Sequence, residues 1–226
     1  MLIRQNFSQR AMVTPDQYQW VASPQRGVDR VMLDRVGTEK ARATSVVRYA
    51  PDSHFPPHPH PGGEEILVIA GTFMEGERRY PAGWYLRNPP GSFHQPSTDE
   101  GALLFVKLQQ MSDDEHEPVR IDTRDPARWT RADMRDTCVL YVGQTEHVSI
   151  ERLEPGIALF GKPAGGAELF VLEGSLHEGT RQYEPGAWIR LPPGDWPAIV
   201  AGRRGATAYL KTGHLSSGKE TQGASC

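Results

Sequence analysis

His58-Pro59-His60-Pro61-Gly62-Gly63-Glu64-Glu65-Ile66-Leu67-Val68-Ile69-Ala70-Gly71 is the stretch from which the rest of the chain can be read. Its first half is rich in metal-ligand residue types, and its second half is a short apolar run of the kind found in buried strands. Side chains two apart on a strand point to the same side, so His58 and His60 can look into one cavity. The Gly62-Gly63 pair lets the chain turn tightly and bring Glu64 back toward them. Prolines on either side of His60 restrain the backbone. With His94, thirty residues beyond Glu64, the set is three imidazoles and a carboxylate. Those donors suit a divalent transition metal and leave coordination positions open. Solvated histidines in a proline-rich loop are the bland alternative. The spacing of four ligand-type residues directly before a core-like run favours the metal.

A degraded copy of the segment follows. Gly62–His94 set against Gly165–Pro197 without a gap gives 14 identities in 33 positions. They include Gly71/Gly174, Glu75/Glu178, Gly76/Gly179, Arg78/Arg181, Tyr80/Tyr183, Gly83/Gly186, Arg87/Arg190 and the Pro-Pro-Gly at 89–91 and 192–194. An internal repeat of this kind is a fold signal, and its glycines and prolines are turn-formers. At the ligand positions the copy has Gly161, Pro163, Ala167 and Pro197, none of which binds a metal through its side chain. The comparison also separates the two glutamates. Glu65 recurs as Glu168, whereas Glu64 is replaced by Ala167 together with the histidines. Glu64 is therefore the ligand candidate, and Glu65 a structural or supporting residue beside it.

These residues resemble the two cupin motifs. The first family motif, G-x5-H-x-H-x3,4-E-x6-G, is matched by His58, His60, Glu64 and Gly71, with Asp52 where the family has glycine. The second, G-x5-P-x-G-x2-H, is matched at every interval by Gly83, Pro89, Gly91 and His94. The wording HPHPGGEEILVIAG...YPAGWYLRNPPGSFH is closer still to the cupin domain of ChrR-type anti-sigma factors. The core resemblance covers about residues 45–110, with a weaker echo from about 130 to 213. It implies an all-β chain of two tandem cupin (RmlC-like jelly-roll) barrels, the second degenerate. It also implies metal ligation by His58, His60, Glu64 and His94, with zinc first and Fe(II) second.

Composition agrees with short strands joined by turns: 23 Gly, 19 Pro and 38% apolar residues in 226. Strands are expected at VMLDRV, TSVVRYA, EEILVIAGTF, GWYLR and ALLFVKLQ, and again at CVLYVG, HVSIERLE, LFVLEGSL, AWIRLP and ATAYLK. No long 3.6-residue apolar period is present, so little helix is expected. The polar run Gln110–Pro118 marks a boundary, giving an N-terminal domain over 1–115, a linker over 116–128 and a C-terminal domain over 129–226. The first 44 residues are expected to add edge strands, and a homodimer is expected from the way such barrels pair. The tail after His214 is small and polar, as frayed termini are.

A net charge of −3 and a pI near 6.2, with no basic stripe, argue against a nucleic-acid partner. No apolar run of membrane-spanning length occurs, and MLIRQNFSQ lacks a signal-peptide core. Cys138 and Cys226 do not form a disulfide framework, which fits a cytoplasmic, reducing setting. Cys138, within a strand pattern, reads as a small buried hydrophobe. Around the site, His54 is placed either at the cavity mouth or on a surface loop. Tyr85 and Phe93, with Trp84, are either pocket walls or plain core. Arg87 and Arg190 recur in both copies and are expected to pair with acids between strands. His116, His147, His177 and His214 have no ligand spacing.

A cupin fold by itself does not name a reaction. The ChrR resemblance implies a regulatory, stress-sensing or small-molecule-binding role. In that family a separate zinc domain with an H-x3-C-x2-C pattern grips the sigma factor. Residues 1–44 contain no cysteine, so the sigma-factor contact is not carried over. The alternative is a non-haem metal-dependent dioxygenase acting on a small diketone or hydroxy-ketone, with Glu65 or His54 as a proton carrier. A third arrangement is a structural zinc without turnover.

Overall fold

The fold is built by strands that pair around two turn-rich cores. The computed structural model describes residues 1–38, 41–160 and 165–215. It is all-β, 57% strand and 3% helix, the helix consisting of 3-10 turns at Pro15–Gln17 and Pro126–Arg128. Gly161 and Pro163, the tail beyond Leu215 and Cys226 lie outside the described residues.

Two compact units divide the chain. Met1–Gln5 and Val13–Trp129 form the first; Asn6–Met12 and the chain from Thr130 onward form the second. The first unit's sheet runs Leu2–Ile3, Val28–Val36, Arg42–Tyr49, Ala102–Leu108, Glu64–Glu75, Trp84–Asn88, Val119–Asp122. The second runs Trp129–Ala132, Arg135–Val142, His147–Leu153, Ile199–Thr212, Ala167–Glu178, Trp188–Leu191, Ala11–Val13. From the second strand to the sixth, the two orders correspond element by element, and the ten strands expected from the sequence are the ones that do so. In each unit a short strand completes the order. The 116–128 stretch, read from the sequence as a linker, contributes Val119–Asp122 to the first unit. Residues 6–12, read as N-terminal domain, belong to the second. Pattern reading misses both, because three or four residues cannot display an alternation.

Inside the first unit, Ile66, Val68, Phe73, Tyr80, Leu86, Ala102, Leu104 and Val106 form a buried apolar cluster. The Ile, Val, Leu and Phe side chains among them each contribute roughly 1.5–3 kcal/mol by leaving water. The long strand Glu64–Glu75 enters this core on even positions (Ile66, Val68) and leaves it on odd ones (Phe73). Simple alternation would forbid that. The switch falls at Gly71, which has φ +69°, beside a register shift between Leu103 and Leu104 of the neighbouring strand. A Cβ on Gly71 would collide with the Gly101 carbonyl oxygen. The second unit repeats the device: Ala167, Leu169 and Val171 face its core, then Leu176. Gly174 (φ +67°) stands at the switch, with its missing Cβ aimed at the Gly205 carbonyl. Asp52, the residue standing in for a motif glycine, is itself left-handed (φ +55°), a conformation that Asp tolerates better than most residues.

Gly71→Ala should therefore lower stability by on the order of 2–3 kcal/mol through backbone strain and the clash, whereas Gly76→Ala, where a Cβ meets nothing within 4 Å, should carry the φ penalty alone. Urea unfolding of the two variants measures the difference.

Candidate metal centre

The histidines are brought together by one small ribbon. His58–His60 pairs antiparallel with Ser92–His94, placing His94 opposite His58 and Ser92 opposite His60. Alternation sends Pro59 and Phe93 to the other side, and Phe93 is 65% exposed. Two backbone bonds pin the turn: the Gly63 and Gly91 amides both donate to the His60 carbonyl, at 3.1 and 2.9 Å. Gly63 takes φ +77° there, the conformation that lets the chain re-enter the sheet at Glu64.

One ring nitrogen from each of His58, His60 and His94 lies within 4.8 Å of the others. His60 Nε2 is 2.8 Å from His94 Nε2. Glu64 Oε2 lies 3.4 Å from His60 Nε2 and 3.5 Å from His94 Nε2. These three histidines are positioned to bind a metal, and the carboxylate of Glu64 faces the same point.

The neighbours of these groups set their tautomers. His94 Nδ1 is 2.7 Å from Glu75 Oε1; a carboxylate only accepts, so Nδ1–H donates and Nε2 is the nitrogen turned toward the other histidines. His58 Nδ1 is 3.0 Å from the Pro56 carbonyl, which also only accepts, so Nδ1–H donates there and Nε2 is left for a metal. Burial lowers the His60 imidazolium pKa, and His94 and His58 add to this, against the pull of Glu64. The donor set is three imidazoles and a carboxylate, which fits a divalent transition metal.

A second layer surrounds them. Asn88 Nδ2 donates to Glu64 Oε2 at 3.1 Å. Arg120 Nη2 donates to Asn88 Oδ1 at 2.6 Å and to Glu75 Oε2 at 2.9 Å. Burial by itself would raise the Glu75 carboxyl, but the His94 hydrogen bond and the Arg120 guanidinium outweigh it and hold it at about 2. Burial, with the Glu64 charge nearby, pushes the Tyr49 hydroxyl up.

The supporting residues named from the sequence go elsewhere. Glu65 points to the other face of the sheet, where Arg87 bonds it at 3.2 Å and reaches Glu115 at 2.7 Å, so the expected acid partner of Arg87 is found. Tyr85 is fully buried, one residue out of phase with Leu86 and Asn88, which face the histidines. Trp84 packs against the interior cluster. His54 is exposed on Ser53–His54, paired with Ser97. Sequence reasoning misses Glu75, Asn88 and Arg120. Glu75 recurs as Glu178 and so reads as scaffold, and the parity switch at Gly71 hides that it shares a face with Glu64.

In the second unit Ala167 and Pro197 occupy the positions of Glu64 and His94, and its interior cluster is apolar, with Phe160 and Trp196 packed against it. Cys138, on Arg135–Val142, is buried outside that cluster. No helix among the described residues is long and apolar enough to cross a membrane.

Residues 8–112 match the model of the ChrR cupin-like domain. No curated protein matches the sequence. Among solved structures, a candidate dioxygenase from Nostoc punctiforme PCC 73102 is similar at TM-score 0.76 and 16% identity, over 93% of this chain and 85% of that one. The bacterial pirin YhhW of Escherichia coli in complex with nickel(II) gives 0.66 and 11%, over 90% and 98%. A cupin 2 conserved barrel domain protein from Leptotrichia buccalis gives 0.59 and 13%, over 85% and 91%. At these identities the likeness is one of fold.

The Glu75 carboxyl sits below its ordinary value of 4.5 in the folded chain, so the unfolded chain takes up its proton first. Its contribution to stability is present above about pH 4.5 and is lost as pH falls toward about 2. Acid titration of the metal-free protein, followed by circular dichroism, should show this loss in the wild type and a smaller one in Glu75→Gln.

Proposed function

We infer that this chain, whose first half is a ChrR cupin-like domain, binds one divalent transition metal through His58, His60, Glu64 and His94 and serves as a regulatory or ligand-binding protein. The observation that carries this is the convergence of three histidine nitrogens within 4.8 Å, with the Glu64 carboxylate 3.4–3.5 Å from two of them. Zinc suits the set, being indifferent to geometry and at home with imidazole and carboxylate. Fe(II) is second. The correspondence of strand order supports reading the chain as two tandem jelly-roll barrels, the second without ligands. A homodimer and a cytoplasmic, reducing setting complete the proposal.

The chain's own residues do three things at the site. His94 and His58 hold their protons on Nδ1 and turn Nε2 inward. Asn88 fixes one oxygen of Glu64, which limits how that carboxylate swings. Glu75 and Arg120 keep a compensated charge pair behind His94, on the Nδ1 side away from the ligand nitrogen. A metal there supplies Lewis acidity at whatever coordination positions the protein leaves open.

A non-haem dioxygenase acting on a small diketone or hydroxy-ketone is the second proposal. It draws on the donor set and on the fold shared with the candidate Nostoc dioxygenase. The two separate by the metal that accompanies the protein from its own cells and by oxygen uptake with such ketones.

Elemental analysis of untagged protein should give one metal equivalent per chain. His60→Ala and His94→Ala should each abolish stoichiometric uptake while leaving the far-UV spectrum unchanged. Two equivalents per chain would sink the ligand-free second barrel, and uptake surviving both substitutions would sink the ligand assignment.

A further inference from the structure

The two units offer an internal control for the residues behind His94. In the first unit Arg120, on the completing strand Val119–Asp122, reaches Glu75 at 2.9 Å and the Tyr80 hydroxyl at 3.3 Å. In the second, Arg10, beside the completing strand Ala11–Val13, reaches Glu178 at 2.7 Å and the Tyr183 hydroxyl at 3.2 Å. Glu75/Glu178 and Tyr80/Tyr183 are repeat positions. The same arginine–glutamate–tyrosine clamp thus fastens a short strand in both units, including the one whose described ligand positions hold alanine and proline.

Only the first unit adds an imidazole. Glu75 divides its two oxygens, Oε1 toward His94 Nδ1 at 2.7 Å and Oε2 toward Arg120 at 2.9 Å. Arg120 also donates to Asn88, which in turn holds Glu64. One guanidinium from a strand of four residues therefore touches the supports of two of the four ligand residues. The strand is also tied by its backbone ladder to Trp84–Asn88, by Arg120 Nη1 on the Arg87 carbonyl at 3.2 Å, by Thr123 on the Gly83 carbonyl and, four residues before it, by Glu115 on Arg87 at 2.7 and 2.8 Å.

We propose that Arg120 is a positioning residue for the metal centre, and that docking of the Val119–Asp122 strand and ligation at His94 reinforce each other through Glu75. This rests on the metal-binding role given above. The physical reason is geometric. A docked strand holds Arg120, which holds Glu75 where it can accept from Nδ1 and orient the His94 ring. A metal on Nε2 fixes that ring from the other side, and so fixes Glu75 for Arg120. Coupling between two binding events is reciprocal, so what the strand gives the metal, the metal returns to the strand. The clamp on Arg10 has no such second function, because Glu178 bonds Arg10 and Tyr183 instead of an imidazole.

The test uses the full chain, stripped of metal and titrated with zinc against a chromophoric chelator, with backbone hydrogen exchange read over 119–122. In the wild type, zinc should slow exchange of those amides. Arg120→Met and Glu75→Gln should weaken zinc binding roughly tenfold to a hundredfold, the range for losing a residue that orients a ligand. Both should also erase the zinc-dependent slowing. Arg120→Lys, which keeps the cation but not the fork, should fall between. Arg10→Met should leave zinc affinity unchanged while loosening 11–13, which separates positioning from general destabilisation. Equal zinc affinity in wild type and Arg120→Met, or equal exchange over 119–122 with and without zinc, would overturn the coupling. A wild-type chain that takes up no zinc would overturn the metal-binding role and the coupling with it.

Discussion

The approach of Gly71 to the carbonyl of Gly101 is the constraint on which the first unit depends. Without it the strand Glu64–Glu75 would keep one parity along its length. Glu64 and Glu75 would then face opposite sides of the sheet, and the residue that orients His94 could not share a cavity with the carboxylate that faces it. A left-handed glycine pressed against backbone therefore helps build the candidate metal centre, although it lies several residues from Glu64 and from each of the three histidines. The same contact in the second unit, between Gly174 and Gly205, returns Leu176 to the core and sets Glu178 where it meets Arg10 and Tyr183, with no histidine in the arrangement.

The sheet separates two kinds of buried polarity. On the histidine face, charges converge on a point where a cation can bind, and each carboxylate has a partner that fixes it. On the opposite face, Arg87 and Glu65 are matched to each other, as Arg190 and Glu168 are paired in register in the second unit. Buried ion pairs of this sort add little net stability, but removing one partner is costly. They are a specification of register: a one-residue slip would bring carboxylates into the core and leucines against guanidinium groups.

Much of this is legible in the sequence, and the limits are physical. The long strands show themselves through apolar runs, and the ribbon carrying His58, His60 and His94 through ligand types at strand spacing. The repeat separates Glu64 from Glu65 as ligand candidate and supporting residue, and in the structure the two point to opposite faces, toward Asn88 and Arg87. The short strands Ala11–Val13 and Val119–Asp122 are not legible as sheet members, since their place is decided by partners distant in sequence. Glu75 is hidden for a related reason. Its recurrence as Glu178 marks it as scaffold, and no local pattern reveals that a scaffold carboxylate can also support a ligand. Phe93 illustrates the converse: adjacency to a motif histidine along a strand places a side chain on the other face; Tyr85 is likewise one residue out of phase with Asn88.

The short strand Ala11–Val13 has a consequence for how the chain is made and cut. It is synthesised near the start, yet the rest of the sheet it completes is built from residue 129 onward. While the ribosome works through the intervening hundred or so residues, that segment has no sheet to join, and the second unit closes only when the last long strand, Ile199–Thr212, is present. Neither unit is a continuous stretch of polypeptide. A chain trimmed at a single boundary would take a strand from one unit to spare the other, so truncation at the amino end should register as damage in the carboxyl-terminal half.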